Sequence, residues 1–430
     1  MQMLTVINQF LFIKKLSYET YETTPLNALN NLTSECNYGG RITDNNDRLL
    51  ISSLLKKFYS PDILTNEPYR FCEIDDYFIP GYSSYNEYIN YITRLPLSVE
   101  PEAIGLHNNA IMLRNYQDSQ QLIDSILYTL PQRSRESIDS NQKIINELCD
   151  SISLKINELD LIAAKKKFPV LFTNPMNSVL IQEITSFNRL IRIIQETIAE
   201  VKKSLTGKTI ISTSSEKVSE SILIGKIPEA WLENSYLTLK SLGNYISDLS
   251  ERLEFFQQWL INGQPKTFWI AGFFSSKAFI TGVVQGHARR NNIPIDLLDL
   301  DFTFTNKRPE DIVDEDIVDV PKNGVYIHGL FMQGARWCNE TNCIQESLPK
   351  IVFDHLPVIY FEPKTKDEIK KNTNAEIKYK CPVYNTSIRQ GVISATGNSS
   401  NFIMTIRIPS QKDEPDWTIR SISFLEFLLS

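Results

Sequence analysis

The chain has 430 residues, of which 42% are hydrophobic and 22% charged, the composition of a globular protein with room for two or three domains. A formal charge of −7 and a pI near 5.4 argue against a nucleic-acid partner, which normally requires a basic face. The apolar run from Met3 to Ile13 contains Asn8 and Gln9 and has no basic residue before it, so neither a signal peptide nor a membrane span fits, and we expect a cytosolic protein.

The cysteine pattern indicates reduced, structural thiols. Six cysteines stand at positions 36, 72, 149, 338, 343 and 381, too far apart for a disulfide framework. Cys338 and Cys343 form the only close pair, and no second pair is present to complete a zinc site.

The first hundred residues predict short helices separated by polar turns. Residues 9–30 and 49–59 predict helices, and the turn between them contains Gly39 and Gly40, which permit positive φ. A double glycine beside an arginine can cradle a phosphate, but no apolar strand precedes this one and no lysine follows it, so a turn is favoured. Beyond it, residues 77–82 predict a turn and strand and residues 85–95 a short helix.

His107 is a candidate catalytic residue by its chemistry alone. The sequence has only four histidines, and no carboxylate or cysteine stands beside this one at ligand spacing. A packed or helix-capping histidine is therefore favoured over a catalytic one.

From about residue 119 to residue 260 the sequence is mainly helical, and apolar residues recur at alternating steps of four and three. Each predicted helix therefore has one apolar face, which we call its seam. Two seams are strong: Leu180, Ile184, Phe187, Ile191, Ile194, Ile198, Val201 and Leu205, and Leu239, Leu242, Ile246, Leu249, Leu253, Phe256 and Leu260. A weaker seam consists of Ile145, Leu148, Ile152, Ile156 and Leu159. Prolines and a glycine divide the region into segments of about 20–30 residues, which favours an intramolecular bundle over an intermolecular coiled coil.

The run Gly207-Lys208-Thr209 is similar to the end of a phosphate-binding loop. Such a loop needs a glycine at position 202, because the backbone must curl round the phosphates, and it follows a strand. Position 202 is lysine and a predicted helix leads in, so we reject a nucleotide site here.

Residues 268–304 mark the change from helical to strand-rich sequence. Ser275 and Ser276 are good N-caps for a helix with an apolar face that ends near Arg289 and Arg290, where basic side chains suit the helix dipole. Leu298, Leu300, Phe302 and Phe304 then alternate with Asp299, Asp301 and Thr303, the period of a half-buried strand.

Short β-prone runs separated by turn residues occupy the rest of the sequence, at 324–332, 358–361, 379–384, 391–395, 402–408 and 417–425. This pattern is typical of an antiparallel barrel or sandwich. The predicted fold class is therefore α+β: a helical N-terminal part, a long-helix bundle and a C-terminal antiparallel β-barrel or sandwich.

Three aspartates raise the possibility of a divalent-metal or sugar-nucleotide transferase site. Asp296, Asp299 and Asp301 include an Asp-x-Asp pair, and His328 and His355 lie downstream. Because Asp299 and Asp301 form the outward half of an alternating strand without a third ligand, solvent-facing aspartates are favoured. From these patterns we assign no catalytic, cofactor-binding or metal-binding residue.

Runs along nearly the whole sequence resemble dynein heavy chains. The matching runs are 34–44 (SECNYGGRITD), 101–109 (PEAIGLHNN), 175–183 (PMNSVLIQE), 187–190 (FNRL), 241–249 (SLGNYISDL), 252–259 (RLEFFQQW), 269–282 (WIAGFFSSKAFITG), 288–296 (ARRNNIPID), 324–337 (GVYIHGLFMQGARW), 381–387 (CPVYNTS), 397–402 (GNSSNF) and 417–420 (WTIR). The sequence departs from the pattern at Ile104, where an aromatic residue is usual, at Gln333, where an acid is usual, at Cys338, where aspartate is usual, and at Ser421, where glycine is usual.

The resemblance implies three parts: residues 1–115 as the helical lid of the sixth AAA+ module, truncated at its N-terminus, 116–292 as the helical part of the dynein C-terminal domain, and 293–430 as its β-rich part. It also implies a component of an ATP-driven, minus-end-directed microtubule motor of axonemal type. The family's ATP and Mg sites lie upstream, and this segment is expected to have no cofactor and no catalytic activity of its own. Expected partners are the rest of the motor ring and, through the full complex, intermediate chains, light chains and microtubules, with no nucleic acid and no membrane.

The sequence is compatible with two hypotheses about function. The first is the C-terminal portion of an axonemal dynein heavy chain, which packs on the ring and tunes the motor in the cytoskeleton of a cilium or flagellum. The second is a free-standing, non-motor interaction protein that retains the same modules as a binding surface.

Overall fold

The computed structural model describes residues 26–62, 69–80, 84–129, 138–206, 212–307, 323–373, 378–387 and 400–428. Residues 9–25 of the predicted helix over 9–30, the Gly207-Lys208-Thr209 run and the predicted strand at 391–395 lie outside these residues. Within the described ranges, no helix combines the length and the apolar character needed to cross a bilayer.

The N-terminal part consists of helices α1 (Leu26–Leu32), α2 (Asn45–Phe58), α3 (Tyr85–Arg94) and α4 (Asn108–Thr129). A π-helical turn and a 3₁₀ turn join α1 to α2. Gly39 has a φ of −58°, and Gly40 is not among the residues with positive φ, so neither glycine adopts the left-handed conformation that it permits. The backbone proceeds in right-handed turns as far as Arg41 and is extended at Ile42 and at Asp44. The Asp44 side chain accepts from the backbone N–H of Asn46 and caps α2.

A helical layer follows: α5 (Ile138–Lys155), α6 (Leu161–Lys167), α7 (Pro175–Leu205), α8 (Thr213–Ile224), α9 (Glu229–Leu232), α10 (Leu242–Asn262) and α11 (Ser276–Asn291). The long helix α7 is central, because it contacts each of the other six. Its seam is buried in the protein's own core from Leu180 to Val201, and so is the seam of α10 from Leu242 to Phe256. In the weaker seam, Leu148 is 37% exposed and the neighbouring Cys149 is buried instead.

Helix α11 has the ends that the sequence predicts. The Ser275 side chain accepts from the Ala278 N–H at the start, and Asn292, with φ 53°, takes the left-handed conformation at the end. Gly282 lets α11 approach α7 closely, since a Cβ there would lie 2.7 Å from a Val179 methyl group.

Most of the strands lie in two mixed sheets. The strands are β1 (Thr267–Trp269), β2 (Leu298–Phe304), β3 (Val325–His328), β4 (Phe331–Gln333), β5 (Ala335–Cys338), β6 (Cys343–Glu346), β7 (Phe353–His355), β8 (Ile359–Thr365), β9 (Lys378–Tyr384), β10 (Phe402–Pro409) and β11 (Ser423–Leu425). One sheet has the order β1-β3-β8-β2 and the other β10-β9-β11-β4-β7, while β5 and β6 form a separate hairpin. Short helices α12 (Lys366–Thr373) and α13 (Glu414–Ile419) pack beside them.

The structure confirms the α+β class but corrects two details of the β region. The pairs β1–β3 and β9–β11 are parallel, and the described strands form open sheets rather than a closed antiparallel barrel. The predicted strand over 417–425 begins as helix α13, because Asp413 and Pro415 favour a helix start, and only Ser423–Leu425 is strand. Strand β11 is central in its sheet, between β9 and β4.

Candidate functional site

The aspartates considered as metal ligands are held by cations of the protein itself. Asp299 accepts from Arg407 at 3.0 Å and Asp301 accepts from Lys364 at 2.8 Å. Burial alone would raise the pKa of Asp301, but the Lys364 ammonium outweighs it and the pKa is lowered. Asp296 lies apart from them, in a 3₁₀ turn before β2. The three carboxylates do not converge.

Of the two downstream histidines, His328 is largely removed from solvent and His355 packs against an aromatic ring. Burial lowers the pKa of His328 to about 4, so the ring is neutral near pH 7. His355 packs against the Phe331 ring, with the ring centres 4.8 Å apart. Among the residues that the structure describes, no three His, Cys, Asp or Glu side chains are grouped closely enough to hold a metal ion.

His107 caps a helix, which is one of the two roles that its sequence context favoured. Its Nδ1 accepts from the Asn109 N–H at 3.3 Å at the start of α4. Burial, followed by the Arg420 guanidinium, lowers the pKa of His107, so the neutral ring suited to accept this hydrogen bond predominates.

The N-terminal helices are joined to the second β-sheet by side chains from both parts. The Tyr384 hydroxyl on β9 donates to Asp44 Oδ1 at 2.9 Å, and Asn109 Nδ2 donates to the Gly334 carbonyl at 3.0 Å. An open cleft of about 460 Å³ lies along this boundary, lined by residues of both parts, among them His107 and Arg420. We call the Tyr384–Asp44 and Asn109–Gly334 contacts the lid–sheet interface.

A second polar cluster lies inside the molecule, where the helical layer meets the last strand. Arg252 on α10 is 0% exposed, and its Nε donates to Asp248 at 2.7 Å one helical turn earlier. Asp248 also accepts from Lys240 at 2.8 Å and from the Tyr236 hydroxyl at 2.7 Å. Burial by itself would raise the pKa of Asp248, but Arg252, Lys240 and Tyr236 together lower it, so the carboxylate is ionised.

Aromatic rings enclose the Arg252 guanidinium. Its central carbon lies 3.9 Å from the centre of the Tyr236 ring, 5.4 Å from Trp269 and 5.2 Å from Phe427. The ring faces favour the cation, and they come from three separate segments of the sequence. Arg252 therefore ties α10 both to β1 and to the residues after β11.

Two acids complete the cluster, which we call the buried junction: Glu183, Asp248, Arg252 and Glu426. Glu183 on α7 accepts from the backbone N–H groups of Phe274 and Ser275, where α11 begins. Glu426, one residue after β11, accepts from Ser276 at 3.1 Å. Burial raises the pKa of Glu183 to about 7 and that of Glu426 to about 8, although hydrogen bonds and Arg252 oppose this rise.

Carboxyl groups with raised pKa values are candidate general acids, but access decides their role. Glu183 and Glu426 are 3% and 2% exposed, so a substrate does not reach them in this structure. The junction instead positions α7, α10, α11 and the residues after β11 relative to one another. The role of these residues was not predicted from the sequence. The available signal was an acid or arginine within an apolar seam, such as Glu183 beside Ile184 and Arg252 beside Leu253.

The described residues define an α+β protein with N-terminal helices, a helical layer and a β module. Its buried polar groups join one element to another.

Comparisons with known proteins show the family to which these parts belong. The model of the C-terminal domain of dynein heavy chains matches residues 116–425, and that of the AAA lid domain of dynein heavy chains matches residues 4–110. Mouse dynein axonemal heavy chain 3 is 41% identical over 406 residues, covering 94% of this protein and 10% of the relative. Rat dynein axonemal heavy chain 12 is 40% identical over 407 residues, which cover 94% of this protein and 13% of the relative. Human dynein axonemal heavy chain 1 is 34% identical over 413 residues, which cover 96% of this protein and 9% of the relative.

The protein belongs to the dynein heavy chain family, and it corresponds to the C-terminal segment of axonemal members. It spans about a tenth of the length of the curated relatives it matches.

Proposed function

We propose that this segment packs on the motor ring of an axonemal dynein heavy chain and tunes the motor, without a nucleotide site of its own. The whole heavy chain then provides ATP-driven, minus-end-directed movement on microtubules in a cilium or flagellum. Its ATP and Mg sites belong to upstream modules, and its intermediate and light chains join through the full complex.

The observation that supports this role most directly is the lid–sheet interface. Asp44 and Tyr384 are 3% and 0% exposed, and their hydrogen bond joins the region that matches the AAA lid to the region that matches the C-terminal domain. Helix α2 also packs against α13. A movement of the lid is therefore transmitted to the β module through buried contacts rather than through a linker.

Motility and ATP turnover, measured on the same preparations of the full-length heavy chain, test the tuning role. The double variant Asn109→Ala/Tyr384→Phe removes the two hydrogen bonds of the lid–sheet interface, together with the one that Asn46 donates to Tyr384 and the one that Ser347 donates to Asn109. We expect changed gliding velocity or force while ATPase activity persists. The matched control is Asn339→Ala/Tyr326→Phe, at residues outside the lid–sheet interface. Unchanged motility in a folded interface variant contradicts the tuning role, and complete loss of ATPase indicates that the segment supports the ring's fold instead.

Nucleotide titration followed by calorimetry tests the second part of the proposal. The protein of 430 residues should bind no ATP specifically, because the Gly207-Lys208-Thr209 run lacks the glycine at position 202 that a phosphate loop requires. Saturable binding that Lys208→Ala abolishes would overturn this expectation.

A further inference from the structure

Two cysteines lie directly opposite each other in the β5–β6 hairpin. Cys338 and Cys343 are register partners, the last pair before the turn at 339–342. Their strand neighbours Trp337 and Ile344 are buried, at 8% and 2% exposure, while both cysteines are half-buried. Because side chains alternate along a strand, the two thiols lie on the same, outer face of the hairpin.

This placement suits a disulfide bond. Residues directly opposite each other in an antiparallel pair have Cβ atoms about 4.5–5.5 Å apart and Cα atoms about 4.5–5.5 Å apart. A disulfide needs Cα atoms about 4.4–6.8 Å apart and Cβ atoms about 3.5–4.5 Å apart. Rotation of the two side chains and a small approach of the strands are therefore enough to bring the two sulfur atoms into bonding distance.

The turn also favours the thiolate form of one of the cysteines. The hydroxyl and backbone N–H of Thr341, assisted by the Glu340 N–H, donate to the Cys338 sulfur and lower the pKa of this thiol. A thiolate is the form that attacks an oxidant. Cys149, by contrast, is buried, and burial raises the pKa of its thiol.

We propose that Cys338 and Cys343 form an oxidation site at which a hydroperoxide converts the two thiols into an intramolecular disulfide. The Cys338 thiolate attacks one peroxide oxygen, the O–O bond breaks, and with hydrogen peroxide the second oxygen leaves as water after taking up a proton. The Cys343 thiol then attacks the sulfenic sulfur, and the S–O bond breaks to release a second water. Two thiols and one peroxide thus give one disulfide and two waters.

The hairpin is placed where such a bond affects both sheets. The Trp337 ring stacks on Phe304 of β2, with the ring centres 4.4 Å apart. On the other strand, Ile344 forms a bridge with Ser410, which follows β10, and Glu346 accepts from Arg420 at 2.6 Å. The disulfide therefore cross-links a hairpin that spans the boundary between the two sheets.

Peroxide treatment of the 430-residue protein, followed by digestion and mass spectrometry, tests the proposal. We expect the peptide that holds both cysteines to lose about 2 Da, iodoacetamide labelling of both to be lost, and thiol reductant to restore both. In Cys343→Ser, Cys338 should accumulate as a sulfenic acid that dimedone traps. In Cys338→Ser, Cys343 should react several-fold more slowly than Cys338 does.

Cys36 is the matched control within the same protein, because it is exposed and has no cysteine opposite it. Oxidation of Cys338 no faster than Cys36 overturns the proposal. So does a product in which Cys338 pairs with any residue other than Cys343, or one that is oxidised only to irreversible acids. Melting curves of both serine variants, compared with that of Cys36→Ser, show whether the hairpin is still folded when the chemistry is measured.

Discussion

The Tyr384 hydroxyl lies 2.9 Å from Asp44 Oδ1, although the two residues are 340 positions apart in the sequence. The same carboxylate oxygen accepts from the Asn46 N–H at 2.7 Å and so caps α2. One buried acid therefore both starts a lid helix and holds the β module against it.

Removing the tyrosine hydroxyl should weaken this link without disturbing the helix cap. In Tyr384→Phe, Asp44 keeps its backbone hydrogen bond but loses a buried donor, and Asn46 Nδ2 loses the hydroxyl to which it donates at 3.1 Å. We expect a loss of about 1–2 kcal/mol in the free energy of unfolding. Urea denaturation measures it. Tyr326→Phe is the control, because the Tyr326 ring packs on Tyr360 and this contact survives the change. Equal stability of the two variants would show that the hydrogen bonds of the Tyr384 hydroxyl contribute nothing net.

Glu426 should make stability fall as the pH rises. Burial raises its folded pKa to about 8, above the ordinary 4.5, so the folded state holds a proton that the unfolded state releases between these values. The favourable contribution of the protonated acid is complete below about pH 4.5 and is lost progressively up to about pH 8. Glu183, with a pKa of about 7, acts in the same direction.

Glu426→Gln isolates this effect, since the amide stays neutral at every pH. Between about pH 7 and about pH 8.5, the variant should lose about 1 kcal/mol less stability than the parent protein. The histidines with lowered pKa values are neutral across this window and do not interfere. Denaturation at each pH provides the measurement, with the exposed Glu254→Gln as control. Parallel curves for Glu426→Gln and the parent would refute a buried neutral acid.

Arg252 should be among the most costly positions to change. Arg252→Met preserves bulk but leaves the buried Asp248 carboxylate with Lys240 and Tyr236 alone, and we expect a loss of about 3–5 kcal/mol. Asp248→Asn/Arg252→Met should lose less than the sum of the single changes, because neither charge is then left without its partner. Thermal melting measures both. The exposed pair of Arg192 and Glu158 supplies the control, and Arg192→Met should change melting little.

Local patterns predicted much of the fold. The α7 seam, the Ser275 cap and the alternation in β2 are set by neighbours within one or two turns, and all three appear in the structure. Strand pairing depends on distant segments, so the parallel pairs β1–β3 and β9–β11 were not foreseen. Burial of Arg252 and Glu426 was missed because a charged residue, taken alone, indicates a solvent-facing position.

Ser421 has φ 57°, a left-handed conformation that glycine adopts without a steric penalty. It lies at the turn between α13 and β11, at a position where the dynein pattern usually has glycine. Ser421→Gly should therefore raise the free energy of unfolding by up to about 1 kcal/mol, the typical strain of a non-glycine residue there. Ser219→Gly on α8, where the backbone is helical, should be destabilising instead. A Ser421→Gly melting temperature below that of the parent would contradict the strain argument.

Strand β11 joins two halves of its sheet, pairing in parallel with β9 and antiparallel with β4. Removing residues 416–430 should therefore do more than expose a new edge, because β9 and β4 lose their common neighbour and the Glu426 and Phe427 contacts of the buried junction disappear. We expect the truncated protein to aggregate, since its unpaired strands become available to other molecules.

Phe424→Ala tests the same strand without deleting it. Phe424 is 0% exposed, and its replacement should cost about 3–5 kcal/mol while leaving the β11 backbone in place. In the full-length heavy chain, this weakened β module should alter force, run length or coupling while ATP turnover persists, because the segment is proposed to rest on the ring rather than to form a nucleotide site. Phe172→Ala is the control, since that ring is 75% exposed. If a folded Phe424→Ala motor moves as the parent does, the β module does not tune movement; if ATPase disappears with movement, the module is needed for the ring itself to fold.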